Sequence, residues 1–164
     1  MNVGDVFFGR RIRQNHALEH AAVTILTAKI TNLRISARSS PQGFVIFGNV
    51  GVDKVRAAAE EALERLQAGE VKLAIHPNCG TNVAVGALLT VVSWVLTLML
   101  VRSRARVLFS LLGVMAAGLI ARPIGAVVQR YVTTLPDLHG VYITGISRRS
   151  YLSLSVIEVQ TAQG

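Results

Sequence analysis

The sequence predicts an α+β fold, a small sheet-and-helix domain interrupted by a two-helix transmembrane hairpin. Three observations lead there. First, no residue between Lys72 and Arg102 carries a fixed charge, and residues 82–101 are long enough as a helix to span the ~30 Å hydrocarbon core of a bilayer. Second, residues 107–128 form a further apolar run, interrupted only near its end by Arg122-Pro123. Two crossings would return the chain to the side it left. Third, the flanks carry the periodicities of a globular domain, with helical spacing before the hairpin and strand-like segments on both sides of it. The predicted division is residues 1–80 with 136–164 as the α+β domain, and 81–130 as the hairpin.

Composition agrees with that division. Of 164 residues 51% are hydrophobic and only 16% charged, apolar for a soluble globule. The 17 Lys and Arg against 9 Asp and Glu give a net charge of +8. These basic residues are scattered, and no aromatic-rich basic stripe accompanies them. The balance therefore points to anionic lipid head groups and not to nucleic acid. A single cysteine, Cys79, excludes an internal disulfide framework. Residues 1–13 lack the apolar core and small-residue cleavage site of a signal peptide, so none is expected.

Taken in order, residues 1–13 join Phe7-Phe8 to Arg10, Arg11 and Arg13. That composition suits a segment at a membrane interface, or equally a first helical turn packed under the domain. A helix is expected from about Asn15, its N-cap, to Ile30, with Leu18, Ala21, Ala22, Ile25 and Leu26 as the apolar stripe. Residues 33–38 alternate as a half-buried strand, residues 39–43 make a turn, and residues 44–47 return. Asp53 is the expected N-cap of a helix to Ala68 that buries Val55, Ala59, Ala62, Leu63 and Leu66. Gly69 sits where a C′ glycine belongs. Residues 71–75 read as a third short strand.

The apolar helices are joined by Arg102-Ser103-Arg104-Ala105-Arg106. Gly113, Ala117 and Gly118 in the second are small enough for close helix approach, which also makes the pair a route to a homo-oligomer. Beyond Pro136-Asp137, residues 140–146 and 151–159 are strand-like and joined by residues 147–150. A lone hairpin is marginal in water, so this one is expected to extend the sheet of the first half.

The residues that carry chemistry are His16-Ala17-Leu18-Glu19-His20. On a helix His16 and His20 are one turn apart, with Glu19 beside them on the same face. Two imidazoles so placed can hold one divalent metal, and the carboxylate can take a proton from the water that the metal activates. A polar strip on a half-buried helix that binds nothing accounts for the same residues. Further on, His76-Pro77-Asn78-Cys79-Gly80-Thr81-Asn82 makes a tight turn into the first apolar helix. Its H-x-x-C spacing offers His76 and Cys79 as further ligands, although a lone cysteine also serves as small packing material. Asn78 and Asn82 suit helix capping equally well. Glu60, Glu61 and Glu64 read as a solvated helix face, with one of them able to reach a metal as the alternative.

The motifs HALEHA at residues 16–21 and HPNCGTN at residues 76–82 together resemble a family of small bacterial membrane proteins, domain-of-unknown-function family 6391. The resemblance covers roughly residues 10–130 and implies a multi-pass protein of the bacterial inner membrane with no assigned activity. The H-x-x-E-H order is also similar to that of the pitrilysin-type inverzincin metallopeptidases. That likeness implies zinc bound by His16 and His20 with Glu19 as the base. The distant Glu that completes a pitrilysin site has no counterpart here, which leaves His76 or Cys79 as the third ligand.

Two functions follow as expectations. One is a membrane-anchored Zn2+-dependent hydrolase, a peptidase acting on a peptide or protein substrate, with Glu19 as general base. The other is a non-catalytic module, stabilised by metal at His16, His20, His76 and Cys79, that assembles with partners. The α+β domain is expected in the cytoplasm. The Arg-rich linker alone would argue the reverse, but residues 1–80 carry ten Lys and Arg against seven Asp and Glu. The free Cys79 also suits a reducing compartment.

Overall fold

The computed structural model describes residues 3–102, 105–151 and 154–164. Ser103 and Arg104 of the expected linker, and Leu152 and Ser153 of the expected last strand, lie outside the described residues, as do Met1 and Asn2. The chain divides into two compact units, Met1–His76 with Arg130–Gly164, and Pro77–Gln129.

The first unit is α+β. It opens with a short helix, α1 (Val3–Phe8), and a long one, α2 (Arg10–Lys29). The expected start at Asn15 is corrected to Arg10, because Gly9, at φ 72°, is where the chain breaks between the two helices. Asn15 is an interior helical residue whose amide works on the sheet instead. Its Nδ2 donates to the Ser40 carbonyl at 2.8 Å, and its Oδ1 accepts from the Thr161 hydroxyl at 2.7 Å.

Strands β1 (Ile35–Ser40) and β2 (Gly43–Gly48) pair as a hairpin about Pro41-Gln42, the first strand lying two residues later than expected. Helix α3 (Val52–Gln67) begins after Gly51, so Asp53 lies in its first turn and is not the N-cap. Its C-terminus closes as the sequence suggests. Gly69 adopts φ 92°, its N–H bonds the Leu66 carbonyl, and the Glu70 N–H bonds the Arg65 carbonyl.

Residues 71–75 do not form a strand. Val71–Ala74 is a 3-10 turn with hydrogen bonds from Leu73 to Glu70 and from Ile75 to Lys72. Satisfied locally in this way, the segment has no ladder to join. After the second unit, a π-helical turn (Gln129–Thr133) leads to β3 (Val141–Tyr151) and β4 (Leu154–Gln163). Both strands run longer than expected, and residues 147–150 pair within β3 against β4 instead of forming the turn.

Among the described residues, four strands make one antiparallel sheet in the order β1-β2-β4-β3, so the C-terminal hairpin does extend the first. Period-two alternation chooses the buried face. Phe44 and Ile46 of β2 stand opposite Val159 and Ile157 of β4, and all four are buried. Helices α2 and α3 cover that face with Ala17, Leu18, Ala21, Ile25, Val55, Ala59 and Ala62. The abundance of alanine lets the two helices and the sheet approach closely.

The second unit contains α4 (Gly80–Leu100) and α5 (Arg106–Val128), each long and apolar enough to cross a membrane. Helix α5 continues through Pro123, where the sequence suggested an interruption. Close approach runs along one stripe with a spacing of four. Cβ atoms on Gly113 and Gly125 would fall on Ser93 and Asn82 of α4, and Ala117 and Ala121 between them are buried. Gly118, expected to share this role, has open space around it. At one end of the stripe, Gln129 Nε2 donates to Asn82 Oδ1 at 2.8 Å.

Candidate metal centre

Two histidines of the first unit come together, and a third lies near one of them. His16 and His20 occupy successive turns of α2 with ring centroids 4.3 Å apart and planes at 62°. His76, just beyond the 3-10 turn, approaches His20 with a centroid distance of 5.8 Å. The local reason is simple. Helix α2 contains no Gly or Pro between Arg10 and Lys29, so it holds a rigid one-turn spacing. The Schellman close after α3 and the 3-10 turn then bring the chain back alongside it.

Both helical imidazoles are oriented by backbone carbonyls. His16 Nδ1 lies 2.9 Å from the Thr133 oxygen and His20 Nδ1 lies 2.8 Å from the Ala74 oxygen. A carbonyl only accepts, so each Nδ1 must carry the proton, and in the neutral ring Nε2 holds the lone pair. This is how a ligating histidine is held when its other nitrogen bonds a carbonyl. Neither carbonyl could be assigned from sequence, since every residue has one. Thr133 comes from the π-helical turn after α5 and Ala74 from the 3-10 turn before α4. The two segments that lead into and out of the apolar pair therefore each steady one histidine.

The two helical imidazoles are donors of the kind that hold a divalent metal. Ligand nitrogens of His16 and His20 lie within 4.8 Å of each other. Two nitrogens on one tetrahedral zinc sit about 3.3 Å apart. Burial, followed by the nearby His20, holds the His76 imidazole below its ordinary value. A ring kept neutral in this way is competent to ligate.

Glu19 is buried, with 7% of its surface exposed. Burial raises its carboxyl above the ordinary value, against opposing effects of His16 and of hydrogen bonds from the Ser39 side chain and backbone. Ser39 was not anticipated as a site residue. Its signal is the register: Ser39 pairs with Phe44 and Ala37 with Ile46, which puts Ser39 on the face that α2 covers. Cys79 belongs to the second unit. There it caps α4, its sulfur accepting from the Thr81 N–H at 3.4 Å. Glu61 is engaged by Lys29 and Arg65 on an exposed helix face, and Glu60 by Arg56.

An α+β domain with a helix-borne histidine pair, interrupted in sequence by two long apolar helices, defines the class. The chain belongs to the family described as Domain of unknown function (DUF6391), which matches residues 11–146. An uncharacterized protein from Picosynechococcus sp. is 43% identical over 88 residues, covering 48% of this chain and 43% of that one. The chain thus spans less than half the length of that curated relative. No solved structure matches it.

Proposed function

We propose that the chain is a membrane-anchored, zinc-dependent hydrolase that cleaves peptide bonds. The observation that carries this reading is the carbonyl-oriented pair His16 and His20, with His76 near His20 and a buried carboxyl at Glu19. His16, His20 and His76 would hold the ion, and three histidines leave a fourth position for water and substrate, as in catalytic zinc sites. Cys79 remains a ligand candidate by its H-x-x-C spacing.

The ion, when bound, supplies Lewis acidity that lowers the pKa of water and polarises a carbonyl. The remaining work falls to this chain. Thr133 and Ala74 fix which imidazole nitrogen ligates. Ser39 holds the Glu19 carboxylate in place, and burial makes that carboxylate a better proton acceptor than an exposed one. Glu19 then takes a proton from the attacking water and passes it to the leaving amine. Helices α4 and α5 cross the bilayer and hold the domain at its surface, on the cytoplasmic side.

Glu19→Gln separates catalysis from metal holding. The variant is expected to keep its zinc and to lose hydrolysis of a responsive peptide by about a hundredfold or more, the scale of a missing general base. Loss of zinc together with activity would assign Glu19 to supporting the ligands. A wild-type protein that holds zinc but cleaves none of a broad peptide mixture would favour the non-catalytic, metal-stabilised module.

A further inference from the structure

Helix α1 leaves its apolar side in the open. Val6, Phe7 and Phe8 are 62%, 74% and 44% exposed, although burial of such side chains is favourable. The opposite side of α1 is tightly held. Gly4 packs against the Val132 carbonyl and the Arg13 guanidinium with no room for a Cβ. Asp5 accepts from Arg13 Nη1 at 2.6 Å, and Arg13 Nη2 reaches the carbonyls of Tyr131 at 3.1 Å and Thr134 at 3.2 Å. The exposed triplet is therefore clamped to residues 131–134.

Those residues begin three positions after α5 ends at Val128, about 10 Å of chain at most. The surroundings are basic and aromatic. Arg10 and Arg11 follow the triplet, and Arg130 stacks over the exposed Tyr131 ring at 5.5 Å. Asp137, paired with Arg10 at 3.0 Å, offsets one of these charges.

We propose that α1 is a membrane-docking element, with Phe7 and Phe8 seated among lipid head groups and upper acyl chains, and Arg10, Arg11 and Arg130 against anionic phosphates. The proposal rests on the reading of α4 and α5 as membrane-spanning. Aromatic rings flanked by arginines, held within a few residues of a helix that exits the bilayer, match the interfacial layer in chemistry and in position.

The test uses the full chain in phosphatidylcholine–phosphatidylglycerol vesicles containing brominated lipids. Trp94, the single tryptophan, lies in α4 and reports on the spanning reading in the wild type. Phe7→Trp in a Trp94→Phe background reports on α1, with Phe8→Trp as a second variant. The expected result is a blue-shifted emission from the introduced indole, quenched severalfold more by bromine near the head group than at the chain end, and shielded from acrylamide. Full quenching by acrylamide overturns docking, and so does shielding from both quenchers, which would mean a protein neighbour such as a second copy. If Trp94 itself escapes deep bromine, the spanning reading fails first. If Trp94 is quenched and the indole introduced in α1 is not, only the docking proposal fails.

Discussion

Arg13 keeps 1% of its surface exposed, and a charge so deeply placed persists only where its donors are engaged. Two of its nitrogens reach Asp5 and the carbonyls of Tyr131 and Thr134, while Nε lacks a partner. Arg13→Met would strand the Asp5 carboxylate and both carbonyls. It is expected to destabilise the first unit by about 3 kcal/mol, read from chemical denaturation in detergent. Arg13→Lys should recover only part of this, since an ammonium cannot span the same fork. Nothing in the sequence distinguishes Arg13 from Arg10 and Arg11. The three share a composition, and only the helix phase, once the start at Arg10 is known, turns Arg13 inward. His16, Glu19 and His20 were legible because their chemistry is rare and their spacing matches a helical turn. Ser39 and the carbonyls of Thr133 and Ala74 were not, because they act through tertiary placement that no local pattern encodes.

The periodic helix α3 could be read from the sequence, and the short run at residues 71–75 could not. Helix α3 shows amphipathic spacing and a C′ glycine, and it ends within a residue of expectation. Val71–Ala74, with the same apolar look as a strand, became a 3-10 turn because a run of four residues cannot decide between the two. Residues 147–150 carry Ser-Arg-Arg-Ser, which reads as a loop, yet they lie in β3, with Arg149 paired to Glu158 at 2.8 Å. Polar residues on the open face of an antiparallel sheet look like a turn when only one strand is in view. The tight β1–β2 connection supplies a sharper test. Gly43 has φ 146°, and a Cβ there would fall on the Val159 carbonyl of the neighbouring strand. Gly43→Ala is expected to cost about 2 kcal/mol or more in thermal unfolding, whereas Gly51→Ala, with open space around it, should change little.

For the whole molecule, one domain is assembled from the two ends of the chain, with an apolar helix pair encoded between them. That arrangement requires residues 1–76 and 130–164 to lie on one side of the bilayer if α4 and α5 span it. On the proposed orientation, Gln42→Cys should resist an impermeant thiol reagent in intact cells and Arg102→Cys should react. The opposite pattern would turn the domain outward. The histidines share this dependence on both halves, because His16 is steadied from beyond α5 and His20 from before α4. Zinc content combined with X-ray absorption at the zinc edge tests the central claim most directly. About one zinc per chain is expected, with three imidazole nitrogens near 2.0–2.1 Å, and that zinc should be lost when His16 and His20 are both changed to Ala. Zinc absent from the carefully prepared wild type, or retained in the double variant with an unchanged spectrum, would contradict it.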